Sequence, residues 1–254
     1  MPKTIDLNSD LGEGFGSYTV GNDEAMLSIV TSANVACGFH AGDPEIMAQT
    51  CAVAQERGVT LGAHPGFPDL WGFGRRRIPF SNGEIERLIA YQIGAAVGVA
   101  ALMGQKIAYV KGHGALANIA AADRSVADAI ARAVRSVDPS LALLGTALTE
   151  QVRAGEAAGL RVYQEVYADR GYDEQGQLIL RGTPGAMIED VEFAASRAVA
   201  MVEQGSIFTA GGKTLATAID SICVHGDGAH AVQVARRIKT EMEGAGIVLA
   251  SFIS

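Results

Sequence analysis

The chain has few aromatic residues and no long hydrophobic run. Aromatic residues make up 6% of its 254 residues, whereas apolar residues as a class reach 48% and glycine occurs 31 times. Such a composition is typical of helices packed closely on a sheet and disfavours an aromatic-rich β-sandwich. The longest apolar stretch, IGAAVGVAALM, is about half the length that a membrane span requires. We therefore expect a soluble protein with a sizeable core and no membrane association.

Cysteines and basic residues are also scarce, and each scarcity disfavours a class of protein. The three cysteines, Cys37, Cys51 and Cys223, have no metal-type spacing and fit the reducing cytosol better than a disulfide framework. The first ten residues are polar and show no signal peptide, so we expect a cytoplasmic location. The formal net charge is −8 and the one dense basic run is short, so we expect no nucleic-acid partner.

Short apolar runs alternate with helical patterns along the whole chain. Alternation over about 250 residues predicts a parallel sheet, either as a closed (β/α) barrel or as a doubly wound open sheet. Residues 170–182 interrupt the pattern and are predicted to form a small hairpin around Gln175-Gly176. The predicted strands are 4–8, 28–37, 59–64, 107–112, 141–146, 161–169, 219–226 and 247–252, and the predicted helices are 43–58, 81–104, 123–137, 147–159, 186–205 and 230–246.

Chemically active side chains follow nearly every predicted strand. A barrel collects such groups from many strand ends at one mouth, whereas an open sheet concentrates them at one switch point. The spread therefore favours an α/β fold with a single (β/α) barrel-like domain of about seven parallel strands, residues 1–254. The strand-end residues are Asn8, Asp10, Asn34, His40, His64, Lys111, His113, Glu165, Asp169, His225 and Asp227.

Four of the five histidines follow apolar runs beside small residues. Converging titratable groups indicate a functional site. Neutral imidazoles and carboxylates could bind Zn²⁺ or Fe²⁺, but the chain contains neither an HxH nor an HExxH motif. A divalent metal therefore stays an open alternative.

Three other motifs have structural as well as functional interpretations. DLNSDLGEGFG places Glu13 near Asp10 in a glycine-rich turn, where a carboxylate can act as a base or orient a histidine. TAGGKTLA ends like a P-loop, but the position of the first glycine holds Ile207, so the Walker interpretation fails. Cys37 lies close to His40, yet near neighbours in the chain rarely face each other, and a buried thiol is the simpler interpretation.

Cationic residues near the strand ends predict an anion site. The forked donors of arginine suit carboxylate and phosphate, and a lysine at a strand end is costly unless it is paired. The predicted substrate-binding residues are Asn8, Asn34, Arg75, Arg76 and Arg170.

Six motifs occur in order along the chain: DLNSDLGEGFG, SANVACGFHAGDP, GAHPGFPDLWGFGRR, VKGHGALAN, EVYADRGYDEQGQLILR and ICVHGDG. Together they resemble the successive signature blocks of the LamB/YcsF family, the A subunits of prokaryotic 5-oxoprolinases, from residue 5 to about 230. The chain departs from the family pattern at Gly112, Ala117 and Gly228-Ala229, where proline, tyrosine and Thr-Pro are usual. These departures affect loop rigidity and one aromatic contact.

The resemblance implies a barrel of the glycoside hydrolase/deacetylase type. It also implies ATP-dependent opening of 5-oxo-L-proline (pyroglutamate) to L-glutamate, with ATP as co-substrate and two further subunits, B and C, as partners. Phosphorylation of the stable lactam carbonyl would activate it. The site would then need a base for water, an acid for the ring nitrogen, and cations for negative charge.

We assign hypothetical roles on this basis. Asp10 or Glu13 would activate water, and His113 and His225 would act as the acid/base pair for the ring nitrogen. Lys111 and Arg170 would stabilise negative charge. The predicted catalytic set is Asp10, Glu13, His40, His64, Lys111, His113, Glu165, Asp169, His225 and Asp227.

Two other functions fit the same residues. One is a metal-dependent deacetylase or amidohydrolase that acts alone. The other is a non-catalytic subunit that binds 5-oxoproline and delivers it to partners.

Overall fold

The chain is built around a closed barrel of parallel strands. A computed structural model describes residues 3–228 and 230–253. Within these ranges the barrel strands are β1 (Thr4–Leu11), β2 (Ser32–Ala36), β3 (Thr60–His64), β4 (Ile107–Val110), β5 (Ala142–Thr146), β6 (Arg161–Tyr167) and β9 (Ser221–Val224). The last of them, β9, pairs with both β6 and β1 and so closes the ring. The predicted α/β barrel of about seven parallel strands is confirmed.

Helices surround the barrel and begin at recognisable caps. The Asp43 side chain accepts hydrogen bonds from the backbone N–H groups of Glu45 and Ile46, and Gly58 ends the same helix at a φ of 67°. Ser81 and Glu84 form a capping box at the start of the longest helix. The helices are α1 (Asp23–Leu27), α2 (Pro44–Arg57), α3 (Asn82–Leu102), α4 (Gly114–Ala122), α5 (Arg124–Val137), α6 (Glu150–Ala157), α7 (Val191–Gln204) and α8 (Ala231–Gly244).

Several elements differ from the sequence prediction. The strand predicted at 28–37 begins only at Ser32, because the backbone just after α1 turns back onto that helix. Residues 209–216, which resemble a P-loop, instead belong to a small antiparallel pair formed by β7 (Ser206–Phe208) and β8 (Thr214–Ala216). Residues 209–213 form the turn between the two strands, and 214–216 are β8 itself. The final strand, β10 (Val248–Leu249), pairs with the start of β1 beside the ring. Helix α4 was not predicted, because its segment GALANIAAA has almost no polar residues to reveal a helical period.

Residues 170–182 form a turn with little regular pairing. The N–H of Asp173 donates to the carbonyl of Gln177, and the N–H of Gly176 donates to the carbonyl of Asp173. One isolated antiparallel bridge joins Tyr172 to Leu178. The segment therefore projects as a short loop over the C-terminal end of β6.

The longest helix, α3, is also strongly apolar. It is the one helix of the described residues that is long and apolar enough, by length and composition alone, to cross a membrane. Buried Ile85, Ile89 and Ile93 lie on one face of α3, and the helix contacts α5, α2 and strand β3. The apolar face of α3 is therefore buried against neighbouring helices and the barrel.

One side of the barrel interior is polar. Successive side chains of a strand point to opposite faces, so Asp6, Asn8 and Asp10 of β1 share the inner face. Asp6 accepts hydrogen bonds from Ser32 Oγ (2.6 Å) and from Ser221, on the two neighbouring strands. This side of the interior is consequently held by hydrogen bonds between strands. The main apolar core lies between the strands and the helices, and a second, small apolar cluster of Tyr109, Ala142 and Leu144 lies inside the ring.

Gly62 on β3 makes room for the Tyr109 ring inside the barrel. A Cβ atom at position 62 would overlap that ring. We expect Gly62→Ala to lower the free energy of unfolding by about 1–3 kcal/mol through overpacking, measured by urea denaturation. Gly94→Ala on α3 is the matched control, because a Cβ there meets nothing within 4 Å. That change should stabilise the helix by about 0.5–1 kcal/mol, and equal effects of the two substitutions would contradict the packing argument.

Candidate active site

A cavity of about 300 Å³ opens at the C-terminal ends of the barrel strands. Its wall is formed by side chains from six strand ends and by arginines from the loops above them. The strand-end residues are Asp10, His64, Lys111, His113, Thr146, Tyr167 and His225. The arginines are Arg75, Arg170 and Arg181. Sequence analysis placed most of these residues at one mouth, and they do lie together there.

Lys111 lies at the centre of the cavity floor and is almost completely buried. Its Nζ is 2.9 Å from Asp10 Oδ1 and 3.0 Å from Glu165 Oε2, and it also contacts Cys223 Sγ at 3.1 Å. Burial disfavours the ammonium group, but the charges of Asp10 and Glu165 outweigh burial and raise the pKa of Lys111 well above its ordinary value. Lys111 is therefore a fixed positive charge under the cavity.

Asp10 is the carboxylate that reaches the cavity from β1. Burial alone would raise the pKa of Asp10, but His64 and Lys111 outweigh burial and hold that pKa well below the ordinary 3.8. Its Oδ2 is 3.4 Å from His64 Nε2, and its Oδ1 accepts a hydrogen bond from Asn34. Asp10 is therefore ionised, and its carboxylate is an oriented acceptor at the cavity.

His225 and Asp169 form a second acid–base unit on the opposite wall. His225 Nδ1 is 2.8 Å from Asp169 Oδ2, and the imidazole ring stacks on Tyr167 with ring centroids 5.3 Å apart. Because Asp169 holds Nδ1, Nε2 is the ring nitrogen that can exchange a proton with a ligand. Burial raises the pKa of Asp169, but the pairing with His225 outweighs it, so the pKa of this carboxyl is lowered.

The rim of the cavity carries paired arginines. Arg75 Nη2 is 2.6 Å from Asp227 Oδ2, and both groups are partly exposed. Arg170 donates through Nε to the carbonyl of Ala186 and through Nη2 to the carbonyl of Ile179. Arg170 therefore ties the loop after β6 to the cavity wall as well as contributing charge.

Beside this cavity lies a cluster of one carboxylate and three imidazoles. Glu13, His40, His64 and His113 each offer a ligand atom, and these atoms all lie within 4.8 Å of one another. The rings of His40 and His113 stack with centroids 3.6 Å apart. Burial, Asp10 and Asp227 raise the pKa of Glu13 well above 4.5, while burial lowers the pKa values of His40 and His113 well below 6.5. The two imidazoles are consequently neutral at pH 7.

Three predicted substrate-binding residues lie away from the cavity. Asn8 bonds to Ser221 and Asn34, and Asn34 bonds to Asp10 and accepts from Tyr109, so both amides lie beneath the floor with their polar atoms occupied. Their role is to position Asp10 and Lys111. Arg76 instead pairs with Asp69 through its Nε (3.0 Å), and its side chain points into solvent away from the mouth.

Five predicted catalytic residues also have no surface in the cavity: Glu13, His40, Glu165, Asp169 and Asp227. Glu165 lies below Lys111 and accepts a hydrogen bond from Tyr167 at 2.6 Å. Cys37 is buried in the core, its Sγ lies 3.2 Å from the carbonyl of Val35, and burial raises its thiol pKa to about 12. Cys37 is therefore unsuited to act as a nucleophile at neutral pH.

Three residues at the site were not predicted from the sequence: Tyr167, Cys223 and Arg181. Tyr167 lies two residues after Glu165 on β6, so strand alternation alone would have placed it on the same inner face. The same alternation places Cys223 two residues before His225. Arg181 lies in an irregular loop, where no period indicates the direction of a side chain.

A closed parallel barrel whose polar groups converge at the C-terminal mouth defines a (β/α)-barrel protein. A solved structure described as T48 deacetylase with substrate shares this fold with a TM-score of 0.50 at 12% identity, over 99% of this chain and 89% of that one. The chain belongs to the LamB/YcsF family, whose sequence pattern matches residues 5–254, so the resemblance drawn from the six motifs is confirmed.

Two full-length similarities are much closer than the deacetylase. The chain is 57% identical over 247 residues to a Gluconobacter oxydans protein that is named as the A subunit of 5-oxoprolinase, covering 97% of each chain. The structure of the lactam utilization protein from Thermus thermophilus matches with a TM-score of 0.92 at 41% identity, over 98% of this chain and 99% of that one.

Proposed function

We propose that this chain is the A subunit of an ATP-dependent 5-oxoprolinase, which opens 5-oxo-L-proline to L-glutamate together with B and C subunits. The observation that carries the proposal is the full-length 57% identity to the Gluconobacter oxydans protein of that name. The cavity at the barrel mouth supports it, because that cavity combines a base, an acid and several cations.

The ring opening divides into activation and hydrolysis. Transfer of the terminal phosphoryl group of ATP to the lactam oxygen produces ADP and an activated imidate phosphate. A first water then attacks the former carbonyl carbon, and the bond from that carbon to the ring nitrogen breaks, which gives an acyl phosphate. A second water hydrolyses this acyl phosphate to L-glutamate and inorganic phosphate. Asp10 is the residue that takes the proton from the first water, since it is ionised and reaches the cavity.

His225 supplies the proton to the leaving nitrogen. His113 was the other candidate, but its Nε2 lies 2.8 Å from the carbonyl of Phe73 and its Nδ1 faces His64 Nε2 at 3.0 Å. Neither nitrogen of His113 is therefore directed at a substrate. His225 presents Nε2, while Asp169 bonds to Nδ1 and orients the ring.

Cations around the mouth suit an anionic substrate and a phosphorylated intermediate. Arg75 and Arg181 line the cavity at its rim, and Lys111 lies beneath it. The substrate carboxylate and the phosphoryl group can pair with these side chains, because arginine offers forked donors to planar and tetrahedral oxyanions. Glu13 plays no direct part in this scheme, since it lies behind the cavity wall.

The nucleotide is handled jointly with the partner subunits. The sequence has no Walker motif, and the segment that resembles one forms the β7–β8 turn. We place ATP binding at or near the interface with the B and C subunits, in the cytoplasm.

Reconstitution tests this function. The purified chain, mixed with candidate B and C subunits, ATP and 5-oxo-L-proline, should release L-glutamate, ADP and phosphate in equal amounts. Omission of any one component should abolish glutamate formation. Undiminished glutamate formation by the two partners without this chain would refute its part in the reaction.

A second candidate function is metal-dependent hydrolysis of an amide by this chain alone. The observation that favours it is the buried cluster of Glu13, His40, His64 and His113. The reconstitution separates the two candidates, because the second predicts hydrolysis when ATP and the partner subunits are left out.

A further inference from the structure

The hydrogen bonds of two histidines fix where their protons lie. His64 Nδ1 is 2.9 Å from the carbonyl oxygen of Lys111, and His113 Nε2 is 2.8 Å from the carbonyl oxygen of Phe73. A carbonyl only accepts, so each of these nitrogens carries a proton. When both rings are neutral, the other nitrogens, His64 Nε2 and His113 Nδ1, are bare.

These two bare nitrogens point at each other across 3.0 Å. Two lone pairs at this distance repel unless a cation lies between or beside them. One shared proton would satisfy this single contact. It would leave Glu13 Oε1 and both ring nitrogens of His40 without a hydrogen-bond partner, although all three atoms are buried among the described residues.

We propose that Glu13, His40, His64 and His113 bind one divalent transition-metal ion, with Zn²⁺ as the preferred ion. A tetrahedral Zn²⁺ site with bonds near 2.0–2.1 Å separates its ligand atoms by about 3.4 Å. Glu13 Oε1 lies 3.4 Å from His40 Nε2 and 3.6 Å from His113 Nδ1. Three neutral imidazoles and one carboxylate are ligands that suit Zn²⁺, Fe²⁺ and Co²⁺.

The surroundings of the cluster hold these ligands in place. Phe73 has a φ of 55°, which is uncommon for a residue with a side chain, and its carbonyl accepts from His113. A Cβ at Gly74 would lie 2.7 Å from His40 Cβ, and one at Gly66 would lie 2.9 Å from His40 Nδ1. The backbone of this loop therefore packs directly on the rings, as the outer shell of a metal site does.

The ion would act on the wall of the cavity rather than on a substrate directly. Four protein ligands are typical of a structural zinc site. His64 and His113 line the cavity, whereas Glu13 and His40 lie behind them. Binding of an ion would consequently fix the two rings next to Asp10. This inference concerns binding alone and does not depend on the reaction proposed above.

Zinc binding by the isolated chain, without ATP, substrate or partners, tests the site. Protein stripped with a chelator should take up one equivalent of Zn²⁺, measured by elemental analysis and by competition with a chromophoric chelator. X-ray absorption at the zinc edge should show three nitrogens and one oxygen at about 2.0–2.1 Å. Co²⁺ in place of Zn²⁺ should give the visible spectrum of a tetrahedral ion.

Variants assign the ligands. Glu13→Gln and His40→Gln should each weaken Zn²⁺ binding more than about 100-fold, beyond the loss caused by changing outer-shell partners. The matched control is His230→Gln, at an exposed histidine on the surface, which should bind like the wild type. Wild-type protein that binds no Zn²⁺ more tightly than Glu13→Gln, or a spectrum of an ion with only water and oxygen ligands, would overturn the proposal.

Discussion

Replacing His225 with glutamine is expected to lower the rate of glutamate formation in the assembled enzyme by about 10²–10⁴-fold. A general acid contributes a factor of this size, and glutamine cannot protonate the leaving nitrogen. The imidazole is part of the cavity wall, with Nδ1 fixed by Asp169 at 2.8 Å. The measurement is steady-state glutamate release with saturating ATP, and the loss should appear in kcat.

The partner carboxylate makes this prediction more specific. Asp169→Asn should also lower kcat, because an amide no longer holds the proton on Nδ1. The double variant should be little worse than His225→Gln alone, since the two residues act as one unit. His230→Gln is the control, because His230 is exposed and bonds to Gln233. Full activity of His225→Gln would favour a subunit that only binds and delivers 5-oxoproline.

Replacing Lys111 with methionine is expected to lower the free energy of unfolding by about 3–5 kcal/mol. The change removes the cation that Asp10 and Glu165 share and leaves their charges buried without a partner. Methionine fills much of the space of the lysine side chain, so the loss of stability is due to the missing charge rather than to a cavity. Urea denaturation of the isolated chain measures it.

A double-variant cycle separates the ion pair from other effects. Lys111→Met combined with Asp10→Asn should recover part of the lost stability, because one of the two buried charges left without a partner is then removed. Lys106→Met is the matched control at an exposed lysine and should change stability little. Additive losses in the double variant would mean that Lys111 stabilises the barrel by packing and not by charge.

The barrel could be predicted from the sequence because its main signal is regular. Short apolar runs followed by helical patterns fix the parallel sheet, and the wide spread of polar strand ends distinguishes a ring from an open sheet. Elements whose sequence shows no helical or strand periodicity were not predicted. Helix α4 is almost uniformly apolar, and β7 and β8 are three residues each, too short to show an alternation.

The sequence predicted which residues lie near one another in the candidate site, but it did not predict which of them contact each other. Strand ends placed Asp10, Lys111 and His225 at one mouth, since parallel strands end on the same side. Position along the chain could not distinguish Arg75, which lines the cavity, from Arg76, which binds Asp69. That difference depends on the course of a loop with irregular dihedral angles.

The proposed metal site could not be predicted from sequence spacing either. Its ligands come from four separate strand-to-helix connections, so no local spacing such as HExxH reveals them. Only the closed ring brings Glu13 next to His113. The tautomers that suggest an ion depend on backbone carbonyls, which a sequence does not place.

The polar side of the barrel interior has a consequence for how this protein can change. Asp6, Ser221, Asn8 and Lys111 form a continuous chain of hydrogen bonds from the foot of the barrel to its mouth. Substituting an aliphatic residue for any one of these four leaves its neighbours without a hydrogen-bond partner. Each neighbour is then a buried polar group that is not satisfied, which lowers stability. Evolution or a designer would need to replace such links in adjacent pairs, so the inside of this barrel should drift far more slowly than its helical exterior.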